Sequence, residues 1–136
     1  MGRNLVLVAI GGGARALLRY GVMLWIPAGT VPWSVMLINI SGSFAIGAVM
    51  ALTEEFGVMT EAGRLFVAVG ILGGYTTFST YINGVYRLLA ADRWLPAYGY
   101  GVAVPGLGLL AAWGAIVAVR ALYSARRADS GEFEEG

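Results

Sequence analysis

Asn39, Arg19 and the nine residues "GGYTTFSTY", Gly73 to Tyr81, concentrate hydrogen-bonding chemistry inside otherwise apolar runs of this sequence. Two glycines weaken helical continuity there, and β-branched threonines follow them. Backbone that leaves the helix at membrane depth persists only when buried in protein or lining a water-filled cavity. Its freed carbonyls can hold a cation, while hydroxyls and freed N–H groups can hold an anion. The hydroxyl donors are Thr76, Thr77, Ser79 and Thr80. Phe78 and Tyr81 are three apart and share a helix face, where ring edges of partial positive charge can solvate a small anion. Asn39 offers amide donors and an acceptor, with Ser43 one turn on. Arg15 and Arg19 lie four apart on one face of the first run, and Arg19 is a candidate for an anion-attracting vestibule.

Each feature also has a packing explanation. Arg19 can snorkel to headgroups near Tyr20 and Trp25. Asn39 can act as glue between helices beside Gly42 and Gly47. The Gly73–Tyr81 stretch can be a glycine seam with hydroxyls bonded back to carbonyls one turn earlier. The glycines of the last run, with Pro105 as a kink, read as a packing surface.

What is missing narrows the chemistry further. The chain has no cysteine and no histidine, so thiolate metal sites, disulfides and a histidine-based triad are excluded. No carboxylate interrupts an apolar run, which leaves no material for a proton relay. A net charge of +1 gives no field that invites nucleic acid.

The elements that carry these residues are membrane helices. Of 136 residues, 58% are hydrophobic and only 12% charged, about half the charged share of a soluble domain. A span needs about 20 residues, and four runs qualify: 4–26, 33–53, 64–89 and 95–123. The fold expected is an all-α membrane protein of four transmembrane helices, with the third broken near Gly73–Thr80. Short loops predict four sequential antiparallel neighbours in one bundle over 1–124. The polar segment 125–136 reads as a disordered tail. Arg3, Arg64, Arg120, Arg126 and Arg127 share one side against Arg87 and Arg93, a bias that places both ends in the cytoplasm only weakly. A chain with so little preference is suited to insertion in both orientations.

Three motifs in order, "GGGARALLRY", "NISGSFAIG" and "GGYTTFSTY", resemble those of the CrcB/Fluc family of fluoride channels, over roughly Val8 to Val119. The resemblance implies a passive fluoride channel of the cell inner membrane that exports fluoride and relieves its toxicity. It implies an antiparallel, dual-topology dimer with two pores and a structural sodium ion at its centre. Carried over by position, the sodium carbonyls are Gly73 and Thr76, the pore rings Phe78 and Tyr81, with Asn39 lining the pore and Arg19 at its mouth. Ser43, Thr77, Ser79 and Thr80 complete the expected anion path.

The chain departs from the family pattern at Tyr81, where phenylalanine is usual, and at Ile82 and Gly84, where many relatives have Ser and Glu. Arg15 stands at a position usually glycine, and Val104 at one often serine. These departures raise a second expectation, one subunit of a paired heterodimer. Two other classes compete. A proton-coupled small multidrug exporter has this length but requires a membrane carboxylate. A structural membrane subunit explains the packing glycines but not Asn39, Arg19 and the hydroxyls together. An enzyme has no nucleophile, base or metal here, so none is expected.

Overall fold

The computed structural model describes residues 2–26 and 29–129; Met1, Pro27, Ala28 and 130–136, the end of the expected tail, lie outside them. Four helices are long and apolar enough to cross a membrane, and among the described residues there is no strand. They are α1 (Gly2–Trp25), α2 (Trp33–Glu55), α3 (Glu61–Ala90) and α4 (Trp94–Asp129). Within α3, helix over 61–75 (α3a) and Phe78–Ala90 (α3b) flank Thr76 and Thr77, both of extended backbone. Helix is imposed by the lipid: with no water to bond, every backbone group must find a partner within the chain. That demand carries α1 through three consecutive glycines, each about 1 kcal/mol worse than alanine in a helix.

Local signals set the ends. The Thr60 hydroxyl accepts from the Gly63 N–H at 3.2 Å and starts α3. α3b closes on Asp92, whose φ of 56° is left-handed, with Arg93 N–H donating to the Leu88 carbonyl at 2.9 Å. α4 continues through Ser124 and beyond to Asp129, into the segment expected to be tail. Alanine and arginine there are good helix formers, so the helix outlasts its apolar part. Two stretches widen to π-helical turns, Ala51–Glu55 in α2 and Leu65–Leu72 in α3a. Where α2 ends, Arg120 of α4 makes a two-pronged ion pair with Glu55 at 2.7 Å, and Phe56 stacks on Tyr123 at 4.0 Å.

The expected order of sequential neighbours is corrected by the packing. α1 lies chiefly on α3a, and α2 on α4, while α1 and α2 touch little. The reason is backbone approach. A Cβ on Gly11 would stand 2.8 Å from the Gly70 backbone, and one on Gly47 would overlap the Ala112 carbonyl. Small residues permit such crossings, and dispersion, not water, rewards them in lipid. Gly11 and Arg15 meet Gly70 and Gly74 in the same order, as Ser43 and Gly47 meet Gly108 and Ala112, so both pairs run parallel. α3b packs antiparallel on α4 around Leu88, Ala97, Tyr100 and Val104, the buried core. Much of the remaining apolar surface is open, with Leu17 74% and Trp25 91% exposed, as a lipid or a partner requires.

The substitution Gly11→Val is expected to drive α1 off α3a, because the obstruction is backbone and cannot turn aside. Overpacking of this kind costs about 1–3 kcal/mol. Thermal unfolding in detergent should show a lowered midpoint for Gly11→Val and little change for Gly12→Val, where nothing stands within 4 Å.

Candidate functional site

The site begins with where the amide of Asn39 goes. In an unbroken helix the Thr77 N–H would donate to the Gly73 carbonyl. Instead it donates to Asn39 Oδ1 at 2.9 Å. Asn39 Nδ2 donates in turn to the Thr77 carbonyl at 3.4 Å and to Val35 O at 3.0 Å. One side chain therefore satisfies both backbone groups of Thr77, as a neighbouring strand would. Thr77 is buried, and its hydroxyl accepts from the Thr80 N–H at 3.2 Å, capping α3b. The seat for this loop is Gly42, where a Cβ would overlap Thr76 Cγ2 and stand 3.0 Å from the Tyr75 ring.

Two carbonyls lose their helical donors in the exchange. Gly73 O loses the Thr77 N–H to Asn39, and Thr76 O loses the Thr80 N–H to the Thr77 hydroxyl. Gly73 is an exposed residue. Two hard, neutral oxygens without backbone donors are the ligand type an alkali cation takes, and in chemistry they fit one. The Arg15 guanidinium also packs here, directly on Gly74, where it leaves no room for a Cβ.

On the far side of the break, an open cleft of about 470 Å³ is lined by Asn39, Ser43, Thr76, Thr77, Phe78 and Tyr81, with Val104, Pro105 and other α4 residues opposite. Phe78 is 76% exposed, its ring centroid 5.6 Å from that of Tyr81 and tilted by 54°. The Tyr81 hydroxyl turns away and donates to the Gly101 carbonyl at 2.6 Å. Behind Tyr81 stands a residue the sequence analysis missed. The ring of Tyr100 lies 5.8 Å from that of Tyr81, and its buried hydroxyl has no partner among the described residues. The rings form a row, Phe78, Tyr81, Tyr100, across two helices. Its sequence signal was weak: one tyrosine among several, in "AYGYGV" of the last run.

Arg19 reaches the start of α3b. Its Nη2 donates to Thr80 Oγ1 at 3.3 Å, and that hydroxyl pairs with Thr77 Oγ1 at 2.9 Å. Thr80 faces a second cavity of about 240 Å³, with Ser34, Asn83 and Arg87 among its walls. The expected path residues are thus divided. Asn39, Ser43, Thr77, Phe78 and Tyr81 share one cleft with Thr76, Thr80 lies on the other with Arg19 behind it, and Ser79 is exposed and lines neither. Ser79 still bonds the Thr77 hydroxyl at 3.4 Å. Thr76 Oγ1 donates back to Leu72 O at 3.3 Å, the packing use of a hydroxyl, while its carbonyl remains free of a backbone donor. Chemically, the cleft offers ring edges and hydroxyls to an anion and has no carboxylate among its described walls to repel one, while both amide donors of Asn39 are taken by the Val35 and Thr77 carbonyls.

Residues 6–116 match the family model described as CrcB-like protein, Camphor Resistance (CrcB). A Nocardia farcinica protein named Fluoride-specific ion channel FluC 2 is 45% identical over 98 residues, 71% of this chain and 70% of its own length. One from Chloroflexus aurantiacus, Fluoride-specific ion channel FluC, is 39% identical over 111 residues, 79% of this chain and 88% of its own. Fluoride-specific ion channel FluC 1 of Streptomyces coelicolor is 38% identical over 122 residues, 88% of this chain and 79% of its own.

Proposed function

Since the chain belongs to the CrcB-like family, an ion-channel family and not an enzyme family, we propose that it is a passive, fluoride-selective channel that lets fluoride leave the cell through the inner membrane. One observation carries the reading: Phe78, a large apolar ring, stands exposed at the head of α3b in a cleft that it shares with Asn39 and Tyr81. Fluoride is small and tightly hydrated, so its water is replaced only where several weak donors converge. Ring edges and hydroxyls supply partial positive charge without trapping the ion, and conduction needs binding loose enough to leave. The ring of Tyr100 backs that of Tyr81 at 5.8 Å and extends the row beyond the cleft's own walls. Arg19, held by Thr80, adds positive potential behind the break.

The cleft is open along the side where Phe78 projects, so one protomer does not enclose a path. A second copy inserted in the opposite sense closes it, and the weak arginine bias permits that orientation. The carbonyls of Gly73 and Thr76 would hold a sodium ion between the two copies. Bound there, the ion supplies positive charge that ties the two backbones together. Arg15 on Gly74 brings its own positive charge beside these carbonyls and opposes a metal. Arg15→Ala is therefore expected to tighten sodium binding, read as a lower sodium concentration for half-maximal thermal protection. An unchanged concentration would remove Arg15 from the cation site.

The deciding experiment is fluoride efflux from liposomes holding the purified chain alone. Release of fluoride but not chloride is the expected result. A second reading has its own support: relatives carry the paired names FluC 1 and FluC 2, and this chain has Ile82, Gly84 and Val104 where polar groups were expected. Space enforces the loss at Gly84, where a Cβ would come within 2.8 Å of Pro32 and 3.2 Å of Tyr100. If the chain alone is silent and a second homologous chain restores efflux, it is one half of a heterodimer. Silence in both settings refutes the channel reading.

A further inference from the structure

The hydroxyl of Tyr81 and the ring of Pro105 lie on different helices, 24 residues apart in the sequence, and meet at one carbonyl. Pro105 sits inside α4 and has no N–H, so the Gly101 carbonyl has no donor one turn on. In lipid an orphaned carbonyl has no water to turn to, and leaving it bare is destabilising. The phenol of Tyr81 fills the vacancy at 2.6 Å. From these contacts we infer that Tyr81 and Pro105 are a matched pair: the proline removes a backbone donor, the phenol restores it, and the Tyr81 ring is thereby fixed across the cleft. Tyr81 is a positioning residue through its hydroxyl and presents only its ring to the ion.

The hydrogen-bond inventory of a phenol makes this specific. Tyr81 has one O–H donor, and it is committed to Gly101. What remains on the oxygen is lone-pair density, which repels an anion. The hydroxyl therefore neither binds nor chemically assists fluoride, and what the anion meets is the ring edge beside Phe78. The bond also pins α3b to α4 where both line the cleft, since Tyr81 and Pro105 are both among its walls. The role of the ring in conduction rests on the fluoride-channel reading; the pairing of hydroxyl and proline does not.

A cycle of Tyr81→Phe, Pro105→Ala and the two together tests the pair. Three signals are followed: the 13C resonance of the Gly101 carbonyl in lipid, the folding equilibrium, and fluoride efflux with its fluoride-to-chloride ratio. Tyr81→Phe alone should move the Gly101 resonance, shift the folding equilibrium toward unfolding by about tenfold, and lower flux with the ion ratio intact. With Pro105→Ala the backbone regains its donor, and adding Tyr81→Phe should then change stability and flux by less than about twofold. Equal effects of Tyr81→Phe in both backgrounds, or an unmoved Gly101 resonance, overturn the pairing. A fluoride-to-chloride ratio that collapses in Tyr81→Phe shows the hydroxyl acting on the ion and overturns the assignment to the ring. Should wild-type liposomes pass no fluoride, the channel reading fails while the resonance and stability arms still decide the pairing.

Discussion

Asn39→Asp is expected to reduce fluoride efflux from liposomes by about 100-fold or more. Three effects act in the same direction. The carboxylate keeps one acceptor for the Thr77 N–H, but its second oxygen replaces the NH2 that now faces Val35 O at 3.0 Å and Thr77 O at 3.4 Å. Acceptor then opposes acceptor twice, and each contact changes from a gain to a repulsion. A charge at membrane depth adds about 2.5–3.5 kcal/mol. Finally, the new charge is negative and stands in the wall of an anion cleft. About 2.7 kcal/mol added to a barrier is already 100-fold in rate. Asn39→Leu separates the causes, because it orphans the Thr77 N–H and adds no charge. It should lower the thermal midpoint and lose flux to a smaller degree. Efflux by Asn39→Asp within tenfold of the unaltered chain would show that Asn39 splints the backbone away from the path.

Phe78→Ile is expected to cost about tenfold or more in fluoride flux while leaving the fold alone. The prediction is sharp because of exposure. A ring that is 76% exposed contributes little to the core, so the melting midpoint and the elution volume of the purified protein should not move. Isoleucine keeps the apolar bulk and loses the electropositive edge. The tilted approach of Phe78 to Tyr81 also disappears, and with it the rigid spacing of the row. Unaltered flux beside unaltered stability would take the ring off the conduction path. A midpoint that fell with the flux would show Phe78 to be a packing residue against a partner.

The parts of this site that the sequence disclosed are those set by neighbours along the chain. Gly73, Gly74 and the threonines announce a weak point in α3, and the spans follow from apolar length alone. The parts it withheld depend on contacts between helices. Helix pairing was hidden because membrane helices are apolar on all sides, so no face points to its partner. Close approach at glycines, of backbone at Gly11, Gly47 and Gly70, distinguishes the faces. Arg19 and Thr80 are 61 positions apart, and nothing in either motif says that the guanidinium meets that hydroxyl. The tyrosine at 81 was legible as a departure, but the use of its hydroxyl was not. That use depends on which carbonyl Pro105 strips, and only the packing of α3b on α4 brings the two together. Tyr100 was missed for the same reason.

The parallel pairing of α1 with α3a and of α2 with α4 bears on how the protein is made. Helices leave the ribosome in order, and here neither of the first two has its main partner waiting when it enters the membrane. α1 must stay unpaired until α3a emerges, and α2 until α4 does. Early intermediates therefore expose Gly11–Gly13 and the α2 glycines to lipid or to any passing helix with small residues. The last helix made is the one that completes the protomer, so a chain interrupted before Trp94 leaves α2 and α3b without their support.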